Sequence, residues 1–177
     1  MLVRTLLILI IQSIICQAQS MKCDSSRAKG SLVIVCTTFY NTGTKCYVNR
    51  TKNDSLDGKQ VGWYPSGKLK SVSNYQEGCP LDTSYDYHEN GRIKYRSTFT
   101  KCKKNGIQIG FSPSGDTILR MPYNMGVPVG LHQEFFSKGK PQQFINYGST
   151  GLKEGLSERW RENGTRIDSV MYKNDNI

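Results

Sequence analysis

Only two histidines occur in the 177 residues, His88 and His132, far apart and without cysteine or carboxylate partners at ligand spacing. That leaves no ordinary zinc arrangement, and no CxxC pair supplies another. A nucleophile–base constellation, a phosphate loop and a zincin motif are also absent. The expectation is a protein that is not an enzyme and needs no cofactor. Hydrophobic residues make up 37% and mean hydropathy is −0.51, too thin for a two-layer core but enough for a sheet that buries one face. Acidic residues are outnumbered 14 to 24, giving a net charge of +10. The basic residues are scattered, and the only dense cluster is Lys101, Lys103 and Lys104.

Long apolar runs are scarce as well. The only one is Leu6 to Ile15, preceded by Arg4 and followed by Cys16-Gln17-Ala18. A ten-residue stretch is too short to span a bilayer, and small residues at −3 and −1 predict signal-peptide cleavage after Ala18. A lipoprotein anchor at Cys16 is the alternative, although Ile15 is bulky where a small residue is expected. Both readings export the chain, to the periplasm, the outer surface or the medium. Export permits disulfides, and removal of 1–18 leaves Cys23, Cys36, Cys46, Cys79 and Cys102. The odd count implies a free or intermolecular thiol. Cys36 and Cys46 flank a turn and are placed to face each other across a hairpin, a pairing with demanding geometry.

Glycine and aromatics, by contrast, are ordered. Turn glycines recur at a step of 24: Gly43, Gly67, Gly91, Gly115 and Gly139, with Gly164 one residue further on. A leading aromatic sits four residues before each: Phe39, Trp63, Tyr87, Phe111, Phe135 and Trp160. A trailing aromatic sits eight after the last five: Tyr75, Phe99, Tyr123, Tyr147 and Tyr172. Three columns in register mark an internal repeat. Pro65 and Pro113 suit the first central position of a type I turn, with Ser or Asn next and glycine in the left-handed closing position. Every copy therefore reads as a β-hairpin. A second glycine set, Gly78, Gly126 and Gly151 with Gly58, Gly106, Gly130 and Gly155, marks tight turns between hairpins; Asp82 and Cys102 break these columns.

The predicted fold is all-β: an elongated, single-layer antiparallel meander of stacked hairpins, advancing about 10 Å per copy. The predicted divisions are signal peptide 1–18, an N-terminal segment 19–33, a degenerate copy and polar connection 34–56, and the array 57–177. Strict alternation places positions −8, −6, −4, +2, +4, +6 and +8, counted from each turn glycine, on one face. Trp63, Leu69 and Tyr75 then share a side, as do Phe111, Leu119 and Tyr123. Positions +1, +3 and +5 form the opposite, candidate binding face: Lys68, Lys70, Arg92, Lys94, Arg96, Arg120 and Lys140.

The spacing Tyr-x-x-Gly-x-x-x-Gly-x-x-x-aromatic, as in Tyr123 to Phe135, resembles the MORN repeat. The 24-residue period with aromatic-x-x-[Ser/Asn]-Gly turns is similar to the bacterial MORN variant carried by exported proteins labelled YwqK-type antitoxins. The resemblance covers about 57–175, with a weaker copy from about 34, and implies a curved β array without catalysis. An antitoxin role fits poorly with a signal peptide.

Together these readings predict an exported, non-catalytic repeat scaffold that binds a protein or an anionic envelope component. Peripheral membrane contact and a homodimer belong to the same expectation, and nucleic acid does not. The alternative is a cell-wall, choline-type ligand-binding hairpin repeat using aromatic grooves; Gly62-Trp63-Tyr64 resembles that type. Packing explains the regular columns better than a cation cage, which needs several aromatics at one point.

Overall fold

The computed structural model describes residues 20–28 and 30–177, so the expected signal segment 1–18, with Cys16 and Ala18, lies outside the described residues. The chain divides into two compact units, up to Gly91 and from Arg92. Each is an antiparallel meander of hairpins, as the repeat predicts. The first unit holds β1 (Ser20–Ala28), β2 (Ser31–Phe39), β3 (Lys45–Lys52), β4 (Ser55–Leu56), β5 (Gly58–Trp63), β6 (Leu69–Gln76) and β7 (Cys79–Tyr87). They pair in the order β1-β2-β3-β5-β6-β7, with β4 on β3. The second holds β8 (Ile93–Thr100), β9 (Lys103–Lys104), β10 (Gly106–Phe111), β11 (Thr117–Asn124), β12 (Val127–Pro128), β13 (Gly130–Phe135), β14 (Pro141–Tyr147), β15 (Lys153–Trp160) and β16 (Arg166–Lys173). Its order is β8-β10-β11-β13-β14-β15-β16, with β9 on β8 and β12 on β11.

All six turn glycines stand at chain reversals. The N–H of Gly67 donates to the carbonyl of Tyr64 at 2.9 Å, and that of Gly115 to Ser112 at 2.9 Å; both glycines hold positive φ, 82° and 100°. The copy at Gly139 departs from this form. Lys138 is itself left-handed at φ 61° inside a short 3-10 turn, Ser137–Gly139. The two breaks in the second glycine set are breaks of sequence only. Asp82 and Cys102 adopt φ of 54° and 65°, the conformation their glycine counterparts hold, which an Asp side chain tolerates best among non-glycine residues after Asn.

One feature of the hairpins overturns the predicted face assignment. The leading aromatic does pair with position +2, as in Trp63↔Leu69, Phe111↔Thr117 and Trp160↔Arg166. The next pair, however, joins −5 to +4: Gly62↔Ser71, Gly110↔Leu119 and Arg159↔Asp168. Hairpins β2–β3 and β13–β14 do the same. Position +3 thus has no opposite number and forms a β-bulge, filled by Cys46, Lys70, Ile118, Gln142 and Ile167. Because side chains alternate, one extra residue exchanges the faces of everything after it. Positions −4, −6, −8, +2, +5 and +7 make a leading face. Positions −5, −7, −9, +4, +6 and +8 make a trailing face. Leading and trailing aromatics therefore lie on opposite sides of the sheet, not on one.

The N-terminal segment also differs from its reading. β1 pairs with β2 along its whole length, although its sequence, SMKCDSSRA, has no alternation and is exposed throughout. Backbone pairing and a disulfide hold it. Cys23 lies directly opposite Cys36 and bonds to it. The predicted Cys36–Cys46 pair does not form, because Asn49 faces Cys36 and Cys46 is the bulge residue. Cys46, Cys79 and Cys102 are disulfide-bonded too, and no described cysteine is free.

Candidate binding surfaces

The two faces differ in burial and chemistry. In the first unit Cys36, Thr38, Asn49, Thr51 and Gln60 are buried, and all lie on the trailing face. In the second, Ile145 and Ser157 are buried on the same repeat positions. This is a polar lining. The Gln60 side chain accepts from the Arg50 N–H and donates to the Arg50 carbonyl, both at 2.9 Å, mimicking a strand. Asn49 Nδ2 and Oδ1, the Ser157 Oγ and both His132 ring nitrogens have no hydrogen-bond partner. His132 Nε2 lies 3.2 Å from Glu134 Oε1 but is not aligned for a hydrogen bond. Its ring stacks on Tyr147 with centroids 6.2 Å apart.

Trailing tyrosines face strand-opening glycines: Gly58↔Tyr75, Gly106↔Tyr123, Gly130↔Tyr147 and Gly155↔Tyr172. Burial pushes the phenol pKa of Tyr123 and Tyr147 above its usual value. Lysine ammonium groups lie over several rings: Lys70 above Tyr47 and Tyr64, Lys94 above Tyr95, Lys104 above Tyr123 and Lys153 above Tyr172. Such contacts contribute about 0.5–1 kcal/mol each at exposed sites.

The leading face of the second unit is apolar and open. Ile107, Leu131, Leu156 and Met171 are 39%, 39%, 41% and 62% exposed. Phe135, Phe144 and Trp160 join edge to face, with centroids 5.6 and 4.9 Å apart. Ile109 is flanked by Arg96 on one strand and Arg120 on the other. A cavity of about 350 Å³ beside them is lined by Asp116, Thr117, Arg120, Phe135, Lys138 and Gly139. Asp116 is already engaged: Ser114 and Ser112 hydroxyls hold its carboxyl below the ordinary range, and Arg92 adds to this.

The seven cations predicted as one binding face therefore separate into three groups. Arg96 and Arg120 are on the leading face. Lys70 is a bulge residue and Lys94 stands at the same +3 position; both lie over tyrosine rings. Lys68, Arg92 and Lys140 sit at +1, beside the turns. Arg92 Nη1 donates to the Ser114 carbonyl and Lys140 Nζ to that of Glu162 at 3.1 Å. In both cases a cation clips its own turn to the next one. Tyr40 and Tyr64 do similar work in the first unit, donating to the carbonyls of Trp63 and Tyr87 at 2.8 and 2.6 Å. These clips follow from the spacing of copies, which the sequence shows, but their donor geometry needs the fold. Among the described residues, no group of three or more His, Cys, Asp or Glu side chains is placed to hold a metal ion.

Residues 56–77 match the family model of the MORN repeat variant. This is the Gly58-to-Gly67 hairpin with its trailing Tyr75. No curated protein matches the chain.

Proposed function

We propose that this chain is an exported, non-catalytic binding scaffold whose leading face receives a protein partner with an apolar, acid-flanked surface. The observation that supports this reading is Ile109 between Arg96 and Arg120, two exposed cations in the middle of an open apolar face. Exposed apolar surface set among cations is the composition of a protein-binding patch more than of a solvated surface. The cavity at Arg120, Lys138 and Phe135 adds a pocket for an acidic or aromatic side chain. The charge gives orientation and salt sensitivity, and the apolar rows give affinity.

A photo-cross-linking residue at position 109 tests the reading, with the exposed position 159 on the opposite face as control. A discrete adduct from 109 alone, lost in Arg96→Glu/Arg120→Glu and weakened by salt, supports it. Equal adducts from both faces, or one that ignores the charge reversal, refute it.

A further inference from the structure

On the trailing face of the second unit, away from the proposed protein-binding face, strands β14, β15 and β16 enclose a cavity of about 190 Å³. Three cross-strand rows build it. The first runs Gln143↔Arg159↔Asp168, and the second Ile145↔Ser157↔Val170. The third is Tyr172, opposite Gly155, with the Lys153 ammonium 4.9 Å from its ring centroid at the rim. The floor is apolar, one wall is a line of planar polar groups, and the other is an aromatic ring.

Ser157 shows that the cavity is not simply a packing gap. It is 9% exposed, it lines the cavity, and its Oγ has no hydrogen-bond partner. A buried hydroxyl left unpaired is unfavourable, and a ligand that hydrogen-bonds it removes the penalty. Arg159 donates to Asp168 through two nitrogens, Nε at 3.0 Å from each carboxylate oxygen and Nη2 to Oδ2. That fixes two planar groups and leaves outward-facing lone pairs and N–H groups to recognise adjacent hydroxyls. The volume lies below the roughly 300 Å³ at which drug-sized sites begin, so it suits one small ring.

From this geometry we infer that the cavity between β14, β15 and β16 binds a single sugar residue. Its C–H face lies against Tyr172 and the Ile145–Val170 floor. Its hydroxyls meet Ser157, Gln143 and the Arg159–Asp168 pair. A ligand of this size with few buried contacts binds weakly, with a Kd on the order of 1 mM.

Saturation-transfer NMR on the intact chain with methyl glucoside, methyl glucuronide and N-acetylglucosamine tests this, with inorganic phosphate in a parallel thermal-shift arm. Transfer to ring C–H protons of at least one sugar is expected. It should be lost in Tyr172→Ala and reduced severalfold in Gln143→Leu, whose half-buried site lets the chain fold. Ile109→Ser, on the other face, should leave it unchanged, which separates this site from the protein-binding reading. The inference falls if no sugar shows transfer, if the signal survives both variants, or if phosphate alone stabilises the protein.

Discussion

Replacing Gly110 with alanine probes a close approach in the second unit. Gly110 lies between Tyr95 and Leu119 in a cross-strand row. A Cβ there would stand 2.8 Å from Tyr95 Cε1 and 3.0 Å from Leu119 Cβ, where unstrained carbons keep about 3.5–4.0 Å. Leu119 Cβ is tied to its backbone, so the tyrosine ring must move. Such overpacking costs about 1–3 kcal/mol. Gly110 is not among the glycines at positive φ, so alanine regains about 0.4–1 kcal/mol by restricting the unfolded chain. The net expectation is a loss of about 0.5–2 kcal/mol, a fall in Tm of a few degrees for a chain of this length. Urea titration of Gly110→Ala in the native and Tyr95→Ser backgrounds measures it. With the ring gone, alanine should be neutral or stabilising, a coupling of about 1 kcal/mol or more. An equal loss in both backgrounds, or a stabilised single variant, refutes the steric account. Gly62→Ala should behave alike, since its Cβ would meet Tyr47 Cε1 at 2.7 Å and Ser71 Oγ at 2.6 Å.

Three further outcomes are expected. Cys23→Ser/Cys36→Ser opens a cross-link between residues 13 apart and should destabilise by about 3 kcal/mol on the loop-entropy account; hydrogen exchange should then show β1 losing protection before β3, and unchanged β1 protection would contradict its dependence on the bond. Burial raises the Tyr64 hydroxyl above its ordinary 10.0, helped by the charges of Glu89 and Asp86. The neutral phenol is favoured in the folded chain, so its contribution is complete below pH 10 and fades as pH rises through the raised value. Tyr64→Phe should lose about 0.5–1.5 kcal/mol at neutral pH and show a shallower alkaline decline in Tm; an identical alkaline slope would rule out that hydroxyl. Lys140→Met, which removes an exposed clip to Glu162, should cost under about 1 kcal/mol and raise exchange in the Arg161–Gly164 turn, and a static turn there would show the clip to be idle.

The hairpins were legible because their signal is local. Pro65-Ser66-Gly67 and Pro113-Ser114-Gly115 state a turn type in three residues, and the 24-residue step repeats it. The faces were not, because alternation carries no mark where one residue drops out of pairing. Lys70 and Ile118 look like ordinary strand residues, and only the register Gly62↔Ser71 or Gly110↔Leu119 shows the skip. The basic side chains were misread for the same reason. Lys70 and Arg96, two positions apart in their copies, were assigned to one side, and the bulge separates them. β1 was missed because its pairing needs no pattern in its own side chains. The cavity at Ser157 was invisible, since its walls come from three strands whose residues reach from Gln143 to Tyr172.

The unpaired residue beside each turn sets a parity rule for how such an array grows. Each copy enters with its ring on one side and leaves with its ring on the other, so duplication of a whole copy keeps both columns intact. Were Lys70 drawn into the ladder opposite Gly62, Tyr75 would pass through the sheet, whereas loss of Lys70 would leave Gly62 opposite Ser71 and both columns in place.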